Sequence, residues 1–147
     1  MPAVILIDTN VVSELMRPSP AYAVIDWFGR QDAAALHLSA VSEAELRRGV
    51  ALLPDGRRRA ALLAATDAMV AEDFEGRVVP FDSAAASAFA AIFAERQARG
   101  RPISFPDCQI AATARARGAA VATRDRDGFV DCGIEVIDPW TEGAGGR

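Results

Sequence analysis

Val4-Ile5-Leu6-Ile7-Asp8-Thr9-Asn10 is the stretch whose reading decides the fold. An unbroken apolar run rich in β-branched residues reads as a short strand buried on both faces. The acid that follows puts a polar group at the strand's carboxyl end. A strand without polar alternation belongs inside a parallel sheet, where helices cover both faces. Asp8-Thr9-Asn10 then opens a short helix carrying Val11, Val12, Leu15 and Met16, and Pro18 and Pro20 interrupt it.

The pattern repeats outward from there. A second helix is expected over 21–31, with Val24, Trp27 and Phe28 on one face, and a second strand over 35–39. Ser42 reads as the opening of a third helix that stops at Leu53-Pro54-Asp55-Gly56. A long helix is expected over 57–74, then a short edge segment at 78–80. Asp82 or Ser83 caps a helix to about Arg99, closed by Gly100. Ser104 caps the next helix, which runs to Arg117 before Gly118. Strands over 119–123 and 134–137 flank a turn at 124–128. Short strands alternating with helices make an α/β fold with a mainly parallel sheet. One domain over residues 1–141 is expected, followed by a glycine-rich, flexible tail over 142–147.

The bulk numbers exclude several classes. A chain of 147 residues, 51% hydrophobic and 24% charged, is globular and long enough for a core. No apolar run reaches the roughly 20 residues of a membrane helix. No basic n-region with a cleavage site is read at the N-terminus, so a cytoplasmic protein is expected. Cys108 and Cys132 form no disulfide framework, and Cys108 reads as a small buried hydrophobe. All 16 basic residues are arginine, which excludes a lysine Schiff base and a P-loop lysine. The single histidine, His37, lies in an expected strand and reads as structural.

Four acids stand where a buried segment passes into a helix start or a turn: Asp8, Glu45, Asp107 and Asp125. Each has a local explanation. Asp8 can cap a helix, Ser42 and Glu45 fit a capping box, Ser104 and Asp107 share that spacing, and Asp125 suits a turn. Taken together they point elsewhere. Ligands of parallel α/β sheets bind outside the carboxyl ends of the strands, and all four acids are expected near that edge. A carboxylate cluster cannot stay ionised without a cation, and oxygen ligands suit Mg²⁺ or Mn²⁺. Metal-dependent phosphodiester hydrolysis is the chemistry that follows. The formal net charge is −4, and these four carboxylates account for all of it, so a nucleic-acid substrate stays open.

The same residues carry a resemblance. Val-Ile-Leu-Ile-Asp-Thr-Asn-Val-Val-Ser-Glu from Val4, Leu-Ser-Ala-Val-Ser-Glu-Ala-Glu-Leu-Arg-Arg-Gly-Val from Leu38, and Gly-Arg-Pro-Ile-Ser-Phe-Pro-Asp-Cys from Gly100 are its main pieces. Val-Ala-Thr-Arg-Asp from Val121 and Val-Ile-Asp-Pro-Trp from Val136 complete it. In this order the chain resembles the PIN-domain ribonucleases, specifically VapC-type toxins of type II toxin–antitoxin pairs in the FitB-like branch.

The resemblance implies a three-layer α/β/α sandwich and an Mg²⁺ (or Mn²⁺) site built from Asp8, Glu45, Asp107 and Asp125 as both metal-holding and catalytic groups. It selects Glu45 over Glu43 because Glu45 directly precedes Leu46-Arg47, and leaves Asp127 as a rival to Asp125. Asn10 and Thr123 are expected to orient the carboxylates or the attacking water. The implied substrate is RNA. The implied partners are a second copy of the chain and a VapB-type, DNA-binding antitoxin whose C-terminal segment crosses the active-site groove. Val12, Leu15, Met16, Trp27 and Phe28 could line an apolar groove for a partner helix or simply pack in the core. Arg47, Arg48 and Arg57–Arg59 could contact RNA phosphate or form a solvated face.

Two rival readings of the strand-end acids remain. A receiver or haloacid-dehalogenase-like phosphoacceptor would need a lysine, and the latter also an Asp-x-Asp where this chain has Asp8-Thr9-Asn10. A catalytically silent PIN-like module acting only in an antitoxin complex would retain the fold without the chemistry, and action on DNA instead of RNA is open.

Overall fold

The computed structural model describes residues 3–144. Five parallel strands form one sheet in the order β3-β2-β1-β4-β5. They are β1 (Ile5–Ile7), β2 (Leu36–Ser39), β3 (Val78–Val79), β4 (Ala120–Ala122) and β5 (Val136–Ile137). The strand read first from the sequence is the central one. It pairs Leu6 with His37 of β2 and with Val121 of β4.

Alternation along β1 sends its side chains to two separate cores. Leu6 joins Val121, Ile92, Ile110, Ala111 and Phe129 on one face. Ile5 and Ile7 join Val11, Val24, Trp27 and Leu38 on the other. The first face is covered by α5 (Ser83–Ala98), α6 (Phe105–Arg117) and α7 (Arg126–Phe129). The second carries α1 (Thr9–Leu15), α2 (Tyr22–Gly29) and Trp140 of α8 (Pro139–Ala144). The α/β/α sandwich is therefore complete. The chain reverses its direction of travel across the sheet at β1, so β2 and β4 lie on either side of it. Their carboxyl ends frame a crevice, the usual ligand position of such sheets.

Several elements differ from the sequence reading. Helix α3 spans Ala40–Ala51 and α4 spans Arg57–Ala68. The first opens two residues before Ser42, because Ser39 at the end of β2 is its cap. The Ser39 hydroxyl accepts from the Val41 N–H at 2.9 Å and the Ser42 N–H at 3.2 Å. Ser42 is thus interior to the helix and the Ser42–Glu45 capping box does not form. The long helix expected over 57–74 ends as a helix at Ala68 and continues as a wider π-helical turn over Met69–Asp73. The segment expected as a turn at 124–128 contains the short helix α7. Asp82 and Ser104 do cap α5 and α6, and Gly118 closes α6 at φ 64°, a left-handed conformation glycine adopts without strain. Helix α8 carries the chain to Ala144, and the rest of the tail expected over 142–147 lies outside the described residues.

Candidate active site

Asp8 follows β1 directly, and its N–H extends the sheet by donating to Ala122 O at 2.9 Å. Its carboxylate does two things. Oδ1 accepts from the Thr9 N–H at 2.8 Å, capping α1. Oδ2 turns to β4 and accepts from the Thr123 hydroxyl at 2.8 Å. That hydroxyl also accepts from Asn10 Nδ2 at 3.1 Å and from the Asp125 N–H at 3.0 Å. Its donor and both acceptor sites are then used, in a fully buried residue. Asn10 Oδ1 in turn accepts from the Arg124 N–H at 3.2 Å. One threonine and one asparagine thereby lock the start of α1 to the end of β4; Thr123 bonds the Asp8 carboxylate directly, and Asn10 bonds no carboxylate.

Glu45 arrives from the second turn of α3. It does not reach back to its own helix start; Oε1 accepts from the Thr9 hydroxyl at 2.8 Å instead. Asp107 is the third residue of α6, where its N–H donates to Ser104 Oγ at 3.3 Å. Asp125 is the cap of α7 and accepts from the Gly128 N–H at 3.0 Å. Its rival Asp127 lies exposed inside that same short helix.

The four acids act on one another electrostatically. Burial, above all, pushes the Asp8 carboxyl up to about 6; the Thr123 and Thr9 hydrogen bonds oppose the rise, while the Asp107 and Glu45 charges add to it. Asp107 is also raised, first by burial and further by the charges of Asp125 and Glu45, while the Ser104 hydroxyl and the Arg96 charge oppose the rise. Acids from four elements therefore feel one another's charge: Asp107 and Glu45 act on Asp8, and Asp125 and Glu45 act on Asp107.

The donor set fits a hard divalent cation: only oxygen ligands face the site, and the Asp8 carboxylate is buried with no arginine partner. Among the described residues, no three Asp, Glu, His or Cys side chains stand close enough to hold one ion in their present rotamers. Cys108, next to Asp107, is buried and its thiol is pushed up to about 11, chiefly by desolvation, so it supplies no thiolate.

Some residues were not legible in advance. Thr9 was read only as a helix starter, yet it holds Glu45. Its position beside Asp8 was the one available signal. Arg47 and Arg59, read as either phosphate contacts or a solvated face, are paired with acids: Arg47 with Glu43 and Asp67, and Arg59 with Asp55. Among the expected groove residues, Val12, Leu15, Met16 and Phe28 line a cleft of about 470 Å³, while Trp27 is core. A second cleft of about 650 Å³ includes Thr9 and Glu45 along with Arg17 and Arg58.

Comparison with known proteins places the chain in a family and a fold. The sequence profile of the PIN domain matches residues 5–133. The chain is 42% identical over 136 residues to the VapC ribonuclease Y4jK of Sinorhizobium fredii, covering 92% of this chain and 97% of that protein. It is 39% identical to Toxin FitB of Neisseria gonorrhoeae, covering 92% and 98%. A solved structure of FitAB bound to an IR36 DNA fragment superimposes with a TM-score of 0.87 at 38% identity, covering 93% of this chain and 96% of the other.

Proposed function

The chain belongs to the PIN-domain family, and from that premise we propose that it is the toxin of a type II toxin–antitoxin pair, an Mg²⁺- or Mn²⁺-dependent endoribonuclease. The observation that carries this reading is the mutual electrostatic coupling of Asp8, Glu45, Asp107 and Asp125, with Asp8 buried and without an arginine partner. The names of the relatives, a VapC ribonuclease and a FitB toxin, support RNA as the substrate and poisoning as the role.

Asp8, Glu45, Asp107 and Asp125 would hold the ion. A divalent ion there supplies Lewis acidity toward a phosphodiester and neutralises charge that develops on its oxygens. The chain's own work is orientation. Thr123 fixes one oxygen of Asp8, Thr9 fixes Glu45, and the Gly128 N–H fixes Asp125. Asn10 ties the start of α1 to the end of β4, where Asp8 and Asp125 begin their helices.

A VapB-type antitoxin that binds DNA is the expected partner, consistent with a related complex solved on DNA. Its inhibitory segment would lie in the clefts beside α1, the second of which includes Thr9 and Glu45. A homodimer and a cytoplasmic setting complete the reading; among the described residues no helix is long and apolar enough to cross a membrane.

Purified protein should cut single-stranded RNA with added Mg²⁺ or Mn²⁺ and stop with EDTA. Asp107→Asn and Glu45→Gln should each lower the rate at least ~100-fold while the far-ultraviolet circular dichroism stays native. Normal cutting by those variants would remove the assigned site, and preferential cutting of single-stranded DNA would change the substrate class.

A further inference from the structure

Arg96 is a buried cation that forms no ion pair among the described residues, although its charge reaches Asp107 and opposes the rise there. It projects from the last turn of α5 and is 4% exposed. Its hydrogen bonds go to backbone carbonyls. Nε donates to Arg101 O at 2.6 Å, and Nη1 to Gly128 O at 3.0 Å and Val130 O at 2.9 Å. Nη2 makes a long contact to Pro102 O at 3.5 Å, and Nη1 approaches Cys132 Sγ at 3.7 Å.

Burying a guanidinium among neutral dipoles is a costly way to fill space. An apolar side chain would fill the same volume without that desolvation. What the guanidinium adds is geometry: a rigid planar fork whose donors point in several fixed directions at once. Here the fork joins two segments. Residues 101–102 lead, through Ser104, to Asp107 at the start of α6. Residues 128–130 follow Asp125, and Gly128 is gripped at both ends. Its N–H is held by the Asp125 carboxylate and its carbonyl by Arg96. A short chain of contacts thus runs from the Asp125 carboxylate through Gly128 and Arg96 to the loop that delivers Asp107. No other described side chain spans both segments by hydrogen bonds.

We propose that Arg96 is a positioning residue that sets the separation between Asp107 and Asp125, and with it the fit of the acid site for a divalent cation. This rests on the reading of the four acids as a metal site. Arg96 touches neither substrate nor ion. It acts through the backbone, so its loss should loosen the site more than it loosens the fold.

The test uses the full chain and Mn²⁺ alone as the probe, read by titration calorimetry, alongside steady-state cleavage of a single-stranded RNA. Arg96→Met should bind Mn²⁺ at least ~10-fold more weakly. Its kcat should fall by a similar factor, while KM for RNA stays within ~2-fold. Arg96→Lys, with a tetrahedral ammonium that cannot reach both segments, should recover only part of the loss. Wild-type Mn²⁺ affinity in folded R96M would overturn the proposal and leave Arg96 a structural residue only. If R96M does not fold, R96K decides: wild-type affinity and kcat in that variant would overturn it equally. Asp107→Asn is the control for the underlying reading. If D107N binds Mn²⁺ normally, the metal site itself is misplaced. If D107N loses Mn²⁺ while the Arg96 variants keep it, only the role of Arg96 fails.

Discussion

The Thr123 hydroxyl donates to Asp8 Oδ2 at 2.8 Å, joining the carboxyl ends of two adjacent parallel strands. The contact orients a buried carboxylate that has no arginine partner among the described residues. Its removal makes a direct test. Thr123→Val keeps the shape and deletes the hydroxyl, leaving Asp8, Asn10 and the Asp125 N–H each short of a partner. The expected cost is about 1–3 kcal/mol in urea denaturation. Cleavage should fall further than stability explains, and Thr123→Ser should recover most of both. Equal activity in T123V and wild type would show that Asp8 needs no orientation from β4.

Asp8 predicts how metal-free stability depends on pH. Its folded pKa of about 6 lies above the ordinary 3.8, so the folded state holds its proton more tightly than the unfolded chain does. The stability this contributes is fully present below about pH 3.8 and is lost as pH rises toward about 6. The rise amounts to about 3 kcal/mol at most. Thermal melts in EDTA should therefore show a falling contribution between pH 4 and pH 6 that Asp8→Asn removes. At pH 7 the metal-free variant should melt higher than wild type yet be inactive. A lower melting temperature for D8N would contradict the raised pKa.

Divalent metal should reverse that penalty. Mn²⁺ added to wild type at pH 7 should raise the melting temperature in a concentration-dependent way, because it binds the folded state alone. Added to D8N it should do much less. An equal response in both proteins would place the ion elsewhere.

Gly128 offers a test of the fourth acid. A Cβ built there would sit 2.4 Å from Asp125 Oδ2, although the backbone angles at Gly128 pose no obstacle. Gly128→Ala should displace the Asp125 carboxylate and lower kcat about as much as Asp125→Asn does. Asp127→Asn should leave the rate within ~2-fold. The opposite ranking of D125N and D127N would make Asp127 the functional acid.

Thr9 gives a second, independent measure of orientation. Thr9→Val frees Glu45 from its only hydrogen bond among the described residues. Mn²⁺ affinity should drop about 10-fold, with the melting temperature nearly unchanged in EDTA. An unchanged affinity would mean that Glu45 is positioned by α3 alone.

Much of this was legible locally. The apolar run over Val4–Ile7 could only be an interior strand, and it is the central one. The caps at Asp8, Asp82 and Ser104 work through backbone groups a few residues away, so their spacing announces them. The reading failed where two local solutions compete. Ser39 and Ser42 can both start a helix, and the position of Ser39 at the end of β2 settled it. A π-helical turn at Met69–Asp73 likewise has no propensity signature of its own.

The sequence by itself determined the element types, the sheet class and the chemistry available to the site. These follow from hydrophobic period, capping spacing and an inventory that has one histidine and no lysine. Only the tertiary structure decided which acids meet and what aims them. Thr9 reaches Glu45 across 36 positions, and Thr123 reaches Asp8 across 115. Arg96 reaches Gly128 across 32. Such contacts depend on how strands and helices are stacked, and no periodicity along the chain encodes a partner that far away.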